Sequence, residues 1–571
     1  MGHTRPFRLA HALREAFAEG YGPAKLRADV LAGLVVGIVA LPLSMALAIA
    51  SGAPPQHGLY TAIVAGATAA LLGGSRVLVS GPTAAFVVIL APVAERFGLE
   101  GLVLASALAG LILVVMGLLR LGRLIQFVPY PVTTGFTAGI GLVIASLQLK
   151  DFLGLRPEAL TGEAMWHERM LALGASLPTV SLPDVAVGTL TLAVLMLWRR
   201  LKTHVPAPLV ALTIGAVAAW ALERFAGLAP ATLASRFGTP EHPAGIPGTP
   251  PVFVLPWHLP GPDGPSAALS LAYLESLLPS AFAIAMLGAI ESLLAAVVAD
   301  GMTGQKHQPD VELTALGLAN LATSFFGGFA ATGAIARTAT NVRSGGRSPI
   351  AAVVHSLFVL GSVLALAPLL GHLPMASLAA LLLIVAWNMS EVRHVLQVVR
   401  TAPASDVAVL GACFALTVVF DMTIAVTAGI LLAALLFMRR MVEISGAELI
   451  GPTHPEHGKD LPPGVIVYDI GGPLFFGAAH KATSQLFALD RREVKLVLLD
   501  LEDVPAIDAT GIVNLRSAID RLKSGGIGVI LVGVQRQPRE ALDRAGLGPE
   551  VVERQETFEE ALVLARRRVA G

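Results

Sequence analysis

Ser80-Gly81-Pro82-Thr83-Ala84-Ala85-Phe86 opens an apolar segment that runs only to about Ala94, and Thr332-Gly333-Ala334-Ile335-Ala336-Arg337 opens another that ends near Val342. Both are shorter than the roughly 20 apolar residues a helix needs to cross a bilayer. They stand in matching places: Pro82 follows Pro42 by 40 residues, and Gly333 follows Glu291 by 42. Working outward, full-length apolar segments begin near Val30, Leu59, Leu99, Val132, Pro183, Pro208, Leu277, Leu313, Ile350, Ser377, Val407 and Ile424. With the two short ones there are about fourteen, seven before the segment at Leu277 and seven from it onward. An odd number per half gives the halves opposite topology. The expected fold is an all-α membrane domain of 14 segments in a 7+7 inverted repeat.

Composition agrees. Of 571 residues 54% are hydrophobic and 14% charged, with a mean hydropathy of +0.72, against about 25% charged residues in an average soluble domain. Lys+Arg and Asp+Glu number 40 each, so net charge points to no nucleic-acid partner, and the single Cys413 excludes a disulfide framework. Residues 445–571 hold 33 of the 80 charges. We therefore divide the chain into an N-terminal segment 1–29, a membrane domain 30–441 and a soluble domain 442–571. Leu31–Ala50 after a basic start has the shape of a secretory signal, but the segments that follow make it the first spanning helix. Counted by loop over residues 1–444, with Arg337 inside a segment, Lys and Arg fall 18 on the side of the N-terminus and 6 on the other, which places both termini in the cytoplasm. Residues 227–265, dense in Pro and Gly, become an external connector.

The two short segments carry the chemistry. Broken, unusually short segments in equivalent places of two halves mark the substrate site of secondary transporters. Pro82 suits a first helical turn, Thr332 can cap, and Gly333 admits close approach to backbone. Two helix N-termini facing each other present unpaired N–H groups and partial positive charge to one small anion. Arg337 lies one turn into its helix, where it either adds to that field or pairs with a carboxylate from another helix. Glu291 sits on a face of small residues, Ala281, Ala285, Gly288, Ser292, Ala295 and Ala299, that predicts tight helix contact, as do Gly33, Gly37, Ala40, Ser44 and Ala48 on the first helix. Burial favours the neutral carboxyl and a neighbouring guanidinium the carboxylate, a balance suited to taking and releasing a proton. The alternative is a permanent Glu291 to Arg337 ion pair. Pro42 predicts a kink in the first helix beside the site. His307, His355 and His372 are scattered, so no metal and no cofactor is assigned.

In the tail, Val465–Ile470, Leu496–Leu501 and Gly528–Val532 read as strands, and Ala478–Leu489, Ala509–Lys523 and Arg536–Ala545 as helices. That alternation is a small α/β domain, with Asp508 a natural N-cap. It has no nucleophile–base arrangement, and the chain does not read as an enzyme.

These residues resemble the SulP anion transporters, the sulfate-permease family. The likeness is carried by Ala53-Pro54-Pro55-Gln56-His57-Gly58-Leu59-Tyr60, by Ser80-Gly81-Pro82-Thr83, by Gly327-Gly328 through Arg337 to Asn341, and by Asp508-Ala509-Thr510-Gly511 of a STAS domain. Ala40-Leu41-Pro42-Leu43, Met286-Leu287-Gly288-Ala289-Ile290-Glu291-Ser292-Leu293 and Ala386-Trp387-Asn388-Met389-Ser390-Glu391 are most similar to the bacterial C4-dicarboxylate branch typified by DauA. The resemblance implies proton-coupled uptake of succinate, fumarate or aspartate by a homodimer in the inner membrane. It implies a core of helices one to four and eight to eleven moving as an elevator against a gate domain. Thr83, Ala84, Ala85 and Phe86, and Gly333, Ala334, Ile335 and Ala336 with Arg337, would bind the anion, and Glu291 would couple the proton. Leu43 stands where many members place Gln in the anion pocket, which suits a substrate with a hydrocarbon portion. Thr510 occupies the place of a phosphorylated Ser in related bacterial regulators, or serves the cap beside Asp508. The alternatives are a bicarbonate or sulfate transporter of the same family, an anion channel, or a membrane-anchored scaffold whose tail recruits a cytoplasmic protein partner.

Overall fold

The structure is a computed structural model that describes residues 8–123, 129–157, 166–198, 200–201, 203, 205–261, 264–265, 270–420, 422–444, 446–450, 461–475 and 494–570. It divides into two compact units, Met1–Ile430 and Leu431–Gly571. The predicted tail helix Ala478–Leu489, together with Arg199 and Lys202, lies outside the described residues.

The first half opens with the short α1 (His11–Ala18), followed by α2 (Pro23–Ala50), α3 (Pro55–Leu72), a two-residue strand β1 (Ser80–Gly81) and α4 (Ala84–Leu118). Gly98, at φ 66 and ψ −169, breaks α4 into a short arm, 84–97, and a full-length arm, 99–118. Then come α5 (Tyr130–Leu153), α6 (Trp166–Ala175), α7 (Leu182–Trp198), α8 (Ala207–Ala226), α9 (Leu233–Phe237) and a small hairpin, β2 (Pro260–Gly261) with β3 (Gly264–Pro265). The second half repeats the plan: α10 (Leu271–Thr303), α11 (Pro309–Ser324), a two-residue strand β4 (Thr332–Gly333), the half-length α12 (Ile335–Arg343), α13 (Ile350–Leu370), α14 (Met375–Ser390), α15 (Val392–Thr401), α16 (Ala404–Val419) and α17 (Met422–Ile444). Apart from α1, α6, α9 and α15, each half supplies seven segments, which is the inverted 7+7 arrangement. Among the described residues seven helices are long and apolar enough to cross a membrane. α2 runs as one helix through Pro42.

Two groups of helices form within this unit. α2, α3, α4, α10, α11, α12 and α13 pack on one another, while α5, α7, α8, α14 and α16 gather around the α5–α14 contact. Lipid gives helices no hydrophobic reason to associate, so close backbone approach at small residues has to hold them. A Cβ on Gly110 of α4 would lie 2.8 Å from the Gly317 carbonyl oxygen, and one on Gly317 of α11 would lie 2.5 Å from that of Gly110. The α2 stripe works the same way: Gly33 leaves only 2.4 Å to the Ala351 carbonyl oxygen on α13.

In the second unit five strands order β5-β6-β7-β8-β9: β5 (Gly446–Ile450) antiparallel to β6 (Val465–Gly471), then β7 (Leu496–Asp500), β8 (Gly528–Val532) and β9 (Glu553–Gln555), all parallel. Alternate strand residues feed two cores. Val497 and Leu499 pack with Leu515 and Ile519 of α18 (Ala509–Ser524) and Leu542 of α19 (Arg536–Arg544). Leu496 and Leu498 pack with Ala561 and Ala565 of α20 (Phe558–Ala570). Asp508 caps α18, its Oδ1 accepting from the Gly511 N–H at 2.7 Å.

Candidate functional site

β1 and β4 pair antiparallel, Ser80 opposite Gly333 and Gly81 opposite Thr332. Each strand leads directly into a half-helix, the short arm of α4 or α12, so the pairing brings together two helix N-termini from opposite halves of the chain. The N-cap positions are Thr83 and Ala334, and neither helix start has a side-chain cap. The N–H groups of Ala84, Ala85 and Phe86, and of Ile335, Ala336 and Arg337, therefore keep the donors that a helix start cannot satisfy internally. Ala334 is different, since its N–H donates to the Val79 carbonyl at 2.8 Å and belongs to the strand pairing.

Three local expectations change. Pro82 is not in the first turn; it precedes the Thr83 cap, because extended β1 must end before the helix can begin. Gly333 lies in β4, and α12 starts at Ile335. Thr332 caps nothing: its hydroxyl donates to the Gly288 carbonyl of α10 at 3.0 Å.

The two isolated charges are both tied to the turn that joins β1 to the short arm of α4. Thr83 Oγ1 donates to Glu291 Oε2 at 3.0 Å, fastening the carboxylate of α10 to the N-cap of the α4 short arm. Arg337, 3% exposed, donates through Nη2 to the Pro82 carbonyl. Its Nη1 lies against Gly81, where a Cβ would approach to 2.7 Å. Nε and Nη1 have no hydrogen-bond partner among the described residues, so Arg337 makes no ion pair with Glu291. A buried guanidinium held behind the junction adds positive potential to the two helix ends without occupying their donors.

Of the other predicted residues, Ala84, Ala85, Phe86, Gly333 and Ala334 are buried, whereas Ile335 and Ala336 are exposed. Phe86 packs on α10, its ring 3.3 Å from where Gly288 would carry a Cβ. Leu43 is partly buried on α2, and Thr510 is exposed in the first turn of α18. Sequence reading missed the residues that hold the strand: Thr338 Oγ1 accepts from the Val79 N–H at 3.1 Å, and Asn341 Nδ2 donates to the Val77 carbonyl at 2.9 Å. The signal was available, since Ala334, Thr338 and Asn341 recur at helical spacing on one face of α12. His355 is wholly buried on α13 with neither ring nitrogen partnered among the described residues.

The sequence matches the model of the Sulfate permease family over residues 26–413 and that of the STAS domain over residues 459–561. It is 40% identical over 531 residues to the putative sulfate transporter YvdB of Bacillus subtilis, covering 93% of this chain and 95% of that one. It is 29% identical over 553 residues to the bicarbonate transporter BicA of Picosynechococcus sp., covering 91% of each. The fold is that of the murine Slc26a9 anion transporter solved in an inward-facing state, with a TM-score of 0.83 at 19% identity over 99% of this chain and 96% of that one.

Proposed function

The chain belongs to the sulfate permease family of anion transporters, carrying a C-terminal STAS domain, and from that premise we propose that it moves a compact oxyanion, sulfate or bicarbonate, across a cell membrane. The single observation that carries the reading is the β1–β4 pairing, which aims two uncapped helix N-termini at one place with Arg337 buried behind them. Backbone donors and helix dipoles suit a small, fully hydrophilic anion, because they supply several convergent hydrogen bonds without a counter-ion that would hold it too tightly. The names borne by the YvdB and BicA relatives favour sulfate and bicarbonate over the C4-dicarboxylates that the branch resemblance implies, and none of them supports the dicarboxylate branch. One residue keeps dicarboxylates as a second reading: apolar, partly exposed Leu43 on α2.

In this proposal the α2–α3–α4 and α10–α13 group carries the anion as an elevator against the group around α5 and α14, in a homodimer with both termini cytoplasmic. Glu291 couples a proton to the stroke. Its hydroxyl partner Thr83 belongs to the same N-cap that faces the anion, so a change in carboxyl protonation is felt at the anion's own donors. Thr510, exposed beside the Asp508 cap, is a modification site for a cytoplasmic partner of the tail.

The test is uptake into proteoliposomes of labelled sulfate in competition with bicarbonate, succinate, fumarate and aspartate. Sulfate or bicarbonate should compete best, and preferential displacement by fumarate would select the second reading. Glu291→Gln should leave saturable uptake but remove its acceleration by an inward proton gradient; intact acceleration would sink the coupling assignment.

A further inference from the structure

A separate cavity of about 610 Å³ opens where α2 ends and α3 begins. α1 is tied to the opposite end of α3, through the Ala10 N–H donating to the Leu72 carbonyl, so the cavity faces the side of the membrane unit away from α1. No residue of 80–86 or 332–337 lines it. Its wall comes from both helix groups, with Ala91 and Glu95 on α4 and Gln148, Lys150 and Asp151 on α5.

Five charged groups line it, and four of them are paired. Arg169 of α6 grips the Glu95 carboxylate through Nη1 at 2.8 Å and Nη2 at 2.6 Å, and Arg236 of α9 donates to Asp151 Oδ1 at 3.1 Å. Lys150 has no carboxylate within ion-pair distance among the described residues. Two residues before it, Gln148 is 5% exposed and lines the cavity, and its amide opens onto that space with no hydrogen bond to a described residue. An amide facing a cavity without a protein partner takes its hydrogen bonds from whatever fills that space, and the ammonium beside it leaves the cavity wall one negative charge short. Lys150 also lies in the last turn of α5, where a cation complements the helix dipole. That accounts for a lysine there, but not for an unpartnered glutamine beside it.

We propose that this cavity is a second anion station, taking a small oxyanion of the kind the protein transports, with Lys150 as its counter-charge and Gln148 as a hydrogen-bond donor. The choice of oxyanion rests on the carrier reading given above. Because the Arg169–Glu95 fork ties α4 to α6, which itself packs on α5 and α16, an anion held there sits at the mouth between the part that moves and the part that frames it.

Sulfate is titrated by calorimetry onto the purified full-length protein, and sulfate uptake is measured from each face of oriented proteoliposomes. The wild type should bind two sulfates per chain. Lys150→Gln and Gln148→Leu should each bind one, and Lys150→Arg should again bind two. The same Gln and Leu variants should raise KM for uptake from the cavity face about tenfold, the weight of one hydrogen bond to a charged group, with kcat unchanged. Equal stoichiometry in wild type and Lys150→Gln, with KM unmoved, overturns the proposal. A single sulfate per wild-type chain, left in place by Gly81→Ala and abolished by Lys150→Gln, would keep this station while refuting the half-helix site. The Lys150→Arg variant separates loss of the anion site from loss of folding.

Discussion

At the scale of single residues, the junction leaves almost no room for error, and that makes it testable. Gly81 faces Arg337 Nη1, and Gly333 would place a Cβ 3.0 Å from the Ser292 Cα on α10. Gly81 also holds φ 155, a conformation that L side chains rarely adopt, and its Cβ would come within 2.7 Å of the buried guanidinium, whereas Gly333 has ordinary backbone and a 3.0 Å approach, so Gly81→Ala should be the more damaging change. Overpacking of this kind costs roughly 1–3 kcal/mol. Gly81→Ala should therefore lower the sulfate affinity of the purified protein more than Gly333→Ala does, and affinity left unchanged by both would show that the strand pairing is not what aligns the helices. Glu291 and Arg337 were legible in the sequence as charges without local partners, because an unpaired charge in a long apolar run is conspicuous. Their partners were not, since Thr83 and the Pro82 carbonyl lie more than two hundred residues away and no periodicity reports such a contact.

At the scale of elements, small residues decide which helices touch. Gly110 and Gly317 meet backbone to backbone where α4 crosses α11, while Gly361 of α13 would place its Cβ in open space. Gly317→Ala should lower the thermal unfolding midpoint of the detergent-solubilised protein, at a cost of roughly 1–3 kcal/mol. Gly361→Ala should leave it unchanged or slightly higher, since Ala is the better helix former. Equal effects would mean that the crossing is not close-packed. In the tail, Asp508→Ala removes the acceptor for the Gly511 N–H and should cost about 1 kcal/mol in denaturant unfolding. Long apolar helices and the strands Val465–Gly471, Leu496–Asp500 and Gly528–Val532 could be read from their patterns. The short β1 and β4 could not, because a two-residue strand has no period, and Pro82 and Gly333 look like helix starts when their cross-chain partners are unseen. β9, written Glu-Arg-Gln, carries no apolar alternation either.

At the scale of the whole molecule, inverted halves explain why the site exists. One copy of the repeat supplies a strand and a half-helix with unsatisfied donors. Only the second copy, in opposite topology, can pair that strand antiparallel and turn its own helix start to the same point. The repeat was legible from the two short segments in matching places, whereas the grouping of helices came only from the family resemblance and no sequence period reports it. The second unit has its own two-sided core, so residues 446–571 alone should unfold in one cooperative step, and a gradual, non-cooperative loss of structure would contradict its independence. The most direct test of the central claim is to locate the bound anion. Selenate, the selenium analogue of sulfate, is added at a concentration that blocks sulfate uptake, and its anomalous signal is mapped in crystals of the full-length protein. A selenium peak is expected between the two helix starts, with the selenate oxygens within hydrogen-bond reach of the N–H groups of Ala84–Phe86 and Ile335–Arg337. Blocked uptake with no peak between those two helix starts would contradict it.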